Sequence, residues 1–214
     1  MRYVTTTCVF ILAVFMFLTP FSSAKTQVKP LYVTFDDGPS LQYTPPILNI
    51  LRKEHCKATF FILGYRALEC PPIIRREIRE GHQIGSHGYD HQNLALANAA
   101  TIQEQIRKAD DAIIRAGGIR PLYYRPPYGA LDSQKNAIIQ QCGHPIKRWD
   151  VDSLDWKATT KESIISLVEK QVKPGSVILF HDGITQSQFT ALALPIIIRD
   201  LRKQGFVFRV LPPR

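Results

Sequence analysis

Short apolar runs alternate with longer amphipathic stretches along most of this chain, and that rhythm narrows the fold to parallel α/β architectures. The runs fall at 31–35, 58–62, 82–86, 121–125, 145–150, 176–181 and 206–210. Helical patterns cover 44–54, 71–80, 99–116, 132–141, 160–171 and 189–203. Pro45-Pro46 and Pro71-Pro72 suit first helical turns, where a missing N–H does no harm. Gly81 and Gly117 suit helix ends. The runs at 58–62 and 176–181 are apolar throughout, as expected of strands covered on both faces. Rhythm alone does not separate an open doubly wound sheet from a barrel. No Gly-x-Gly-x-x-Gly follows any run, so a dinucleotide site is unsupported.

The first 24 residues read as a secretory signal peptide. Arg2 supplies the positive start, Cys8 to Leu18 is an apolar run too short for a membrane span, and Ser22-Ser23-Ala24 offers small residues for cleavage. Residues 25–214 then form one catalytic domain, exported to the periplasm, the envelope or the medium. No other run is long enough to cross a bilayer. The net charge of +9 suits a polyanionic envelope polymer or an anionic membrane surface. The basic residues are scattered over helical faces without interleaved aromatics, so nucleic acid is not the expected partner. Cys56, Cys70 and Cys142 contain no Cys-x-x-Cys and read as buried thiols; Cys56 and Cys70, at opposite ends of one expected strand, are poorly placed to bridge. No oligomer signal is visible, and a monomer is expected.

The chemistry lies where polar residues interrupt the rhythm. Asp36-Asp37, His87, His91, Arg125, Asp155 and His181 all follow the C-terminal ends of expected strands, the face that carries function in α/β barrels. Two adjacent carboxylates repel and are costly to desolvate, so a cation or a reaction must require them. His87 and His91, spaced i, i+4, would face the same way on one helical turn. Two imidazoles and a carboxylate fit zinc best, with other divalent transition metals open. With Asp37 as the carboxylate ligand, Asp36 is placed to take a proton from a water that the cation acidifies. Arg125 would keep Asp36 ionised and oriented. His181, closing an apolar strand, suits the general acid, with Asp155 bonded to its other nitrogen.

These residues resemble the polysaccharide deacetylases, carbohydrate esterases related to the nodulation deacetylase and to chitin and peptidoglycan deacetylases. The resemblance runs from about residue 31 to 183 in five motifs: Thr34-Phe35-Asp36-Asp37-Gly38-Pro39, Ser86-His87-Gly88-Tyr89-Asp90-His91, Arg125-Pro126-Pro127-Tyr128-Gly129, Asp155-Trp156 and Leu179-Phe180-His181. It implies a distorted parallel (β/α)7 barrel. It also implies Asp36 as base, Asp37, His87 and His91 as metal ligands, and Arg125 positioning the base. A Tyr128 backbone N–H would sit in the oxyanion hole, Trp156 and Leu179 would wall the acetyl methyl, and His181 would be the acid. Gly88 departs from the family's Ser or Thr, a hydroxyl credited with steadying the loop. The expected activity is metal-dependent removal of N-acetyl groups from amino sugars of peptidoglycan, chitin oligomers or an exopolysaccharide. The competing reading is a non-catalytic carbohydrate-binding module on the same fold. A glycosidase fits less well, because that chemistry usually needs two carboxylates flanking the bond and no metal. Short loops after the strands suggest an open groove.

Overall fold

The computed structural model describes Met1, residues 28–129 and residues 132–213. The signal-peptide reading, with its cleavage after Ala24, therefore lies outside the described residues. Strand β1 (Lys29–Asp36) is the axis of the fold. It is flanked by β2 (Thr59–Ile62) on one side and β5 (Val177–His181) on the other, with β3 (Gln83–Ser86) beyond β2 and β4 (Val151–Asp152) beyond β5. Strand β6 (Phe206–Arg209) pairs with the first half of β1, and every ladder is parallel. Among the described residues seven α-helices connect the strands: α1 (Thr44–Lys53), α2 (Gly64–Glu69), α3 (Pro71–Arg79), α4 (Ala99–Gly117), α5 (Ser133–Gln141), α6 (Lys161–Gln171) and α7 (Ser187–Lys203).

Side-chain alternation explains why both faces of β1 are buried. Leu31, Val33 and Phe35 join the main core with Ile47 and Leu51 of α1 and Leu194 and Ile198 of α7. The Phe35 ring stacks on Phe60 at 5.0 Å and on Phe180 at 5.8 Å, tying three strands into one layer. Thr34 and Asp36 take the opposite face, inside the barrel, where Arg125 meets both. At the far end Leu211 packs against Phe61, Tyr123 and Val177, and its carbonyl accepts from Gln83 Nε2, so the C-terminal segment plugs the barrel floor.

The barrel closes through single bridges where two full strands were expected. Of 121–125, the bridges fall at Tyr124, with Ser86 on one side and Ile146 on the other, and Leu122, Tyr123 and Arg125 add single backbone hydrogen bonds to Ile84 and Ser86. Of 145–150, Ile146 carries that bridge, and regular pairing begins only at β4. Pro121, Pro126, Pro127 and Pro145 crowd this stretch and cannot donate to a ladder, so the sheet is distorted there. Helix α2 was not expected; six residues are too few to show a helical period. It separates Cys70 from the end of β2, and Cys56, Cys70 and Cys142 carry free thiols. Among the described residues no helix is long and apolar enough to cross a membrane.

Candidate active site

Sheet register sets the first contact of the site. Asp36, the last residue of β1, lies opposite His181, the last residue of β5. Asp36 is buried, and its Oδ1 accepts from Arg125 Nη1 at 2.7 Å. Arg125 is wholly buried in the barrel interior. Its remaining donors go to Thr34 Oγ1 at 2.9 Å, the Lys147 carbonyl at 3.0 Å and the Arg148 carbonyl at 3.4 Å, and its guanidinium lies 3.9 Å from the centre of the Phe61 ring. A buried cation is tolerable when paired and hydrogen-bonded in this way. Burial raises the Asp36 carboxyl above the usual carboxylate range, against the pull of Arg125. A carboxylate made more basic is a better proton acceptor once ionised.

The second corner is built by Asp37, His87 and His91. The two histidines do not share a helical turn. His87 follows the end of β3, and the chain then bends through Gly88 at φ +84° and His91 at φ +64°. His87 Nδ1 lies 2.7 Å from the Arg125 carbonyl, which can only accept, so this nitrogen carries the proton and Nε2 presents its lone pair. Burial lowers the His87 pKa to about 3, despite the nearby Asp37 carboxylate, so the ring is neutral at physiological pH. That lone pair faces Asp37 Oδ1 at 3.4 Å, and His91 Nε2 faces the same oxygen at 3.3 Å. Asp37 Oδ1 is buried and has no hydrogen-bond donor. An imidazole lone pair, that of His87, and a second imidazole nitrogen converging on one donor-less carboxylate oxygen suit a positive centre between them. The three ligand atoms lie within 4.8 Å of one another, a set that fits a divalent cation. The second Asp36 oxygen lies 3.7 Å from His87 Nε2, at the edge of the same space.

Helices brace the loop that carries this corner. Gln105 of α4 accepts from the Tyr89 N–H at 3.0 Å and donates to Gln92 Oε1 at 3.1 Å, spanning the His91 position. Gly64 and Tyr65 of α2 donate to the Gly88 and Tyr89 carbonyls at 2.9 and 3.1 Å. The glycine at 88 has a local reason: its positive φ disfavours any side chain, and a Cβ there would lie 3.1 Å from the buried Tyr124 hydroxyl.

The third corner is His181. Its Nδ1 lies 2.7 Å from Asp155 Oδ1, which leaves Nε2 for the cleft. Asp155 is wholly buried in a short 3-10 turn, Asp155–Lys157, and its Oδ2 accepts from the His181 N–H at 2.7 Å and Thr190 Oγ1 at 2.6 Å. Burial alone would lower the His181 pKa. The bond to Asp155, its charge, and the charges of Asp37 and Asp36 outweigh that and raise it to about 9. The ring is therefore a cation at neutral pH.

A cleft of about 410 Å³ joins the three corners. Asp36, Asp37, His87, His91, Tyr128, Trp156, Leu179 and His181 line it, and Arg125 and Asp155 stand buried behind, so all ten residues singled out from the sequence converge here. Tyr128 sits at φ +62° with its ring edge-on to His91 at 4.7 Å. Asp152, which opens the run Asp152-Ser153-Leu154-Asp155-Trp156 that holds the fourth motif, also lines the cleft, as do Trp149 and Ile184, which were not anticipated. Trp149 had one available signal, an aromatic three residues ahead of Asp152 and the Asp155-Trp156 motif; Gln105 had none, being one polar residue on a long amphipathic helix.

The polysaccharide deacetylase family profile matches residues 23–146. A peptidoglycan-N-acetylglucosamine deacetylase of Listeria monocytogenes is 37% identical over 185 residues, covering 86% of this chain and 38% of that protein. The chain thus spans less than half the length of that relative. A chitooligosaccharide deacetylase of Sinorhizobium fredii is 33% identical over 200 residues, covering 87% of this chain and 92% of the relative. The crystal structure of the Bc1960 peptidoglycan N-acetylglucosamine deacetylase superposes with a TM-score of 0.84 at 38% identity, covering 87% of each chain.

Proposed function

Because the chain belongs to the polysaccharide deacetylase family, we propose that it is an exported, metal-dependent hydrolase that removes N-acetyl groups from the amino sugars of an envelope polysaccharide or its oligosaccharides. The observation that carries this reading is the convergence of His87 Nε2 and His91 Nε2 on the donor-less Asp37 Oδ1, with Asp36 and His181 lining the same cleft. Asp37, His87 and His91 would hold the cation, zinc fitting that donor set best. When bound, it supplies Lewis acidity and brings the pKa of water towards about 7.

The chain's own residues do the rest. Asp36, fixed by Arg125, takes one proton from the attacking water as oxygen adds to the acetyl carbonyl carbon. The Tyr128 backbone N–H is assigned to the oxyanion that develops on the carbonyl oxygen. Trp156 and Leu179 give the acetyl methyl an apolar wall. His181, a cation at neutral pH, donates its Nε2 proton to the sugar nitrogen as the C–N bond breaks, and acetate and a free amine leave. Asp155 holds that imidazolium in place. An envelope location agrees with the peptidoglycan activity named for the Listeria relative.

Acetate release is the direct test, measured on acetylated chito-oligosaccharide and on peptidoglycan, with chelator and after zinc is restored. The expected result is release that chelator stops and zinc recovers. Glycan binding with no acetate from any substrate would support the non-catalytic module instead. Chain shortening without acetate would point to a glycosidase.

A further inference from the structure

Helical cations that lie far apart in the sequence gather at the end of the barrel opposite the cleft. Lys29 opens β1 there, Arg52 and Lys53 close α1, Arg79 closes α3, and Arg202 and Lys203 close α7. Contacts between the ends make them one surface. Arg199 of α7 donates to Glu54 Oε1, just past α1, at 3.0 Å, and Arg202 Nη2 donates to the His55 carbonyl at 3.3 Å. Lys57, on the way into β2, bonds the Glu80 carbonyl past α3, and Lys29 Nζ donates to the Gln204 carbonyl past α7 at 3.4 Å. The carboxylates at these ends are buried or half-buried, and each is already paired: Glu54 with Arg199, Glu80 with Arg76 and Asp200 with Lys203. Arg52, Lys53, Lys57 and Arg79 are exposed and form no ion pair among the described residues. Cations at helix C-termini complement the helix dipole. That accounts for the residues closing α1, α3 and α7, but not for Lys29 and Lys57, which lead into strands.

We propose that this basic floor docks on an anionic lipid surface and holds the cleft away from it. Charge complementarity alone suits any polyanion, and two observations favour lipid. Val28 and Val207 are exposed beside Lys29, with Val207 in register with Pro30 on the neighbouring strand. Apolar side chains set among cations match a surface that enters a headgroup layer. The chain also joins the fold at this face. The apolar run Cys8–Leu18 lies ahead of Lys29 in the sequence, so the floor is the face nearest any bilayer that the run meets. The eight residues of β1, roughly 25 Å of strand, separate Lys29 from Asp36 at the cleft. A domain docked by its floor therefore turns the cleft outward.

The inference goes beyond the deacetylase reading, and its readout needs no turnover. The full chain is sedimented with vesicles of phosphatidylglycerol mixed with phosphatidylcholine, and with vesicles of phosphatidylcholine alone. The apolar run contributes to both alike. Binding should be stronger on the anionic vesicles, and salt at about 0.5 M should remove the difference by screening. Arg52→Gln/Lys53→Gln/Arg79→Gln should lower the partition onto anionic vesicles by about a hundredfold. Arg52→Lys/Arg79→Lys should retain it. Lys108→Gln/Lys135→Gln/Lys161→Gln removes the same charge from α4 and from the first turns of α5 and α6, and should leave the partition within about threefold of the unaltered chain. A hundredfold loss in that control would assign binding to net charge and overturn the floor as the docking face. Equal partition onto both vesicle types would overturn it as well. Retention on isolated cell wall that carries anionic polymer, with no binding to anionic vesicles, would assign the floor to that polymer and contradict lipid docking. Failure of acetate release on every glycan bears on the deacetylase reading alone.

Discussion

Two corners of the cleft each centre on a histidine, His87 buried and His181 partly so, and the two rings end in opposite charge states. His87 is driven to a pKa of about 3 and His181 is raised to about 9. Burial pushes both downward, so burial does not explain the difference. The partner of Nδ1 does. His87 gives that proton to a backbone carbonyl, which carries only a dipole; His181 gives it to the Asp155 carboxylate, with Asp36 and Asp37 adding to the negative field. One residue type is thus neutral at one end, as the proposed ligand role needs, and charged at the other, as the proposed acid role needs, and a second residue chooses between them.

The largest way to break this contrast is to remove the group between the corners. Asp36→Asn should keep the bound cation yet lower turnover by about 10²–10⁴-fold, the range of a general base. Metal content and acetate release measure the two halves, and unchanged turnover would remove Asp36 from that role. A smaller effect is expected from Asp155→Asn, which erases the charge that separates the two histidines. The working form of His181 is the imidazolium, present below its pKa, so activity falls as pH rises through that value. Raised to about 9, the group keeps activity into the alkaline range; in the variant it should return towards its ordinary value of about 6.5, drawing the alkaline limb of the kcat–pH profile to lower pH. Ring NMR of His181 in metal-free protein checks the same shift. An unmoved limb would mean that another group is the acid. The smallest expected change sharpens the other corner: Gln105→Ala should weaken zinc binding about tenfold by releasing the loop. Gln105→Glu, which keeps an acceptor for the Tyr89 N–H, should recover part of it. Undiminished affinity in both would mean that the α2 contacts alone hold the loop.

What the sequence discloses follows the physics of each region. The β1, β2 and β5 positions were legible because buried parallel strands are nearly continuous apolar runs, and the polar residues at their ends then stand out. Where prolines break the pairing around Tyr124 and Ile146, the same apolar reading overstates the strands. The His87–His91 spacing named a pair that the structure does bring together, but on a bend and not on a helical turn; a glycine between the two histidines already argued for a bend. The pairing of Asp155 with His181 was anticipated, and the geometry supplies its 2.7 Å contact. Trp149, Ile184 and Gln105 were not found, because each reaches the site through tertiary packing and none carries a chemical motif of its own.

The central claim is that Asp37, His87 and His91 share one cation. A crystal grown with zinc, with data collected across the zinc absorption edge, tests it most directly. The account predicts an anomalous peak within bonding distance, about 2 Å, of an Asp37 oxygen and both Nε2 atoms. A peak elsewhere, with those three side chains turned apart, would contradict it.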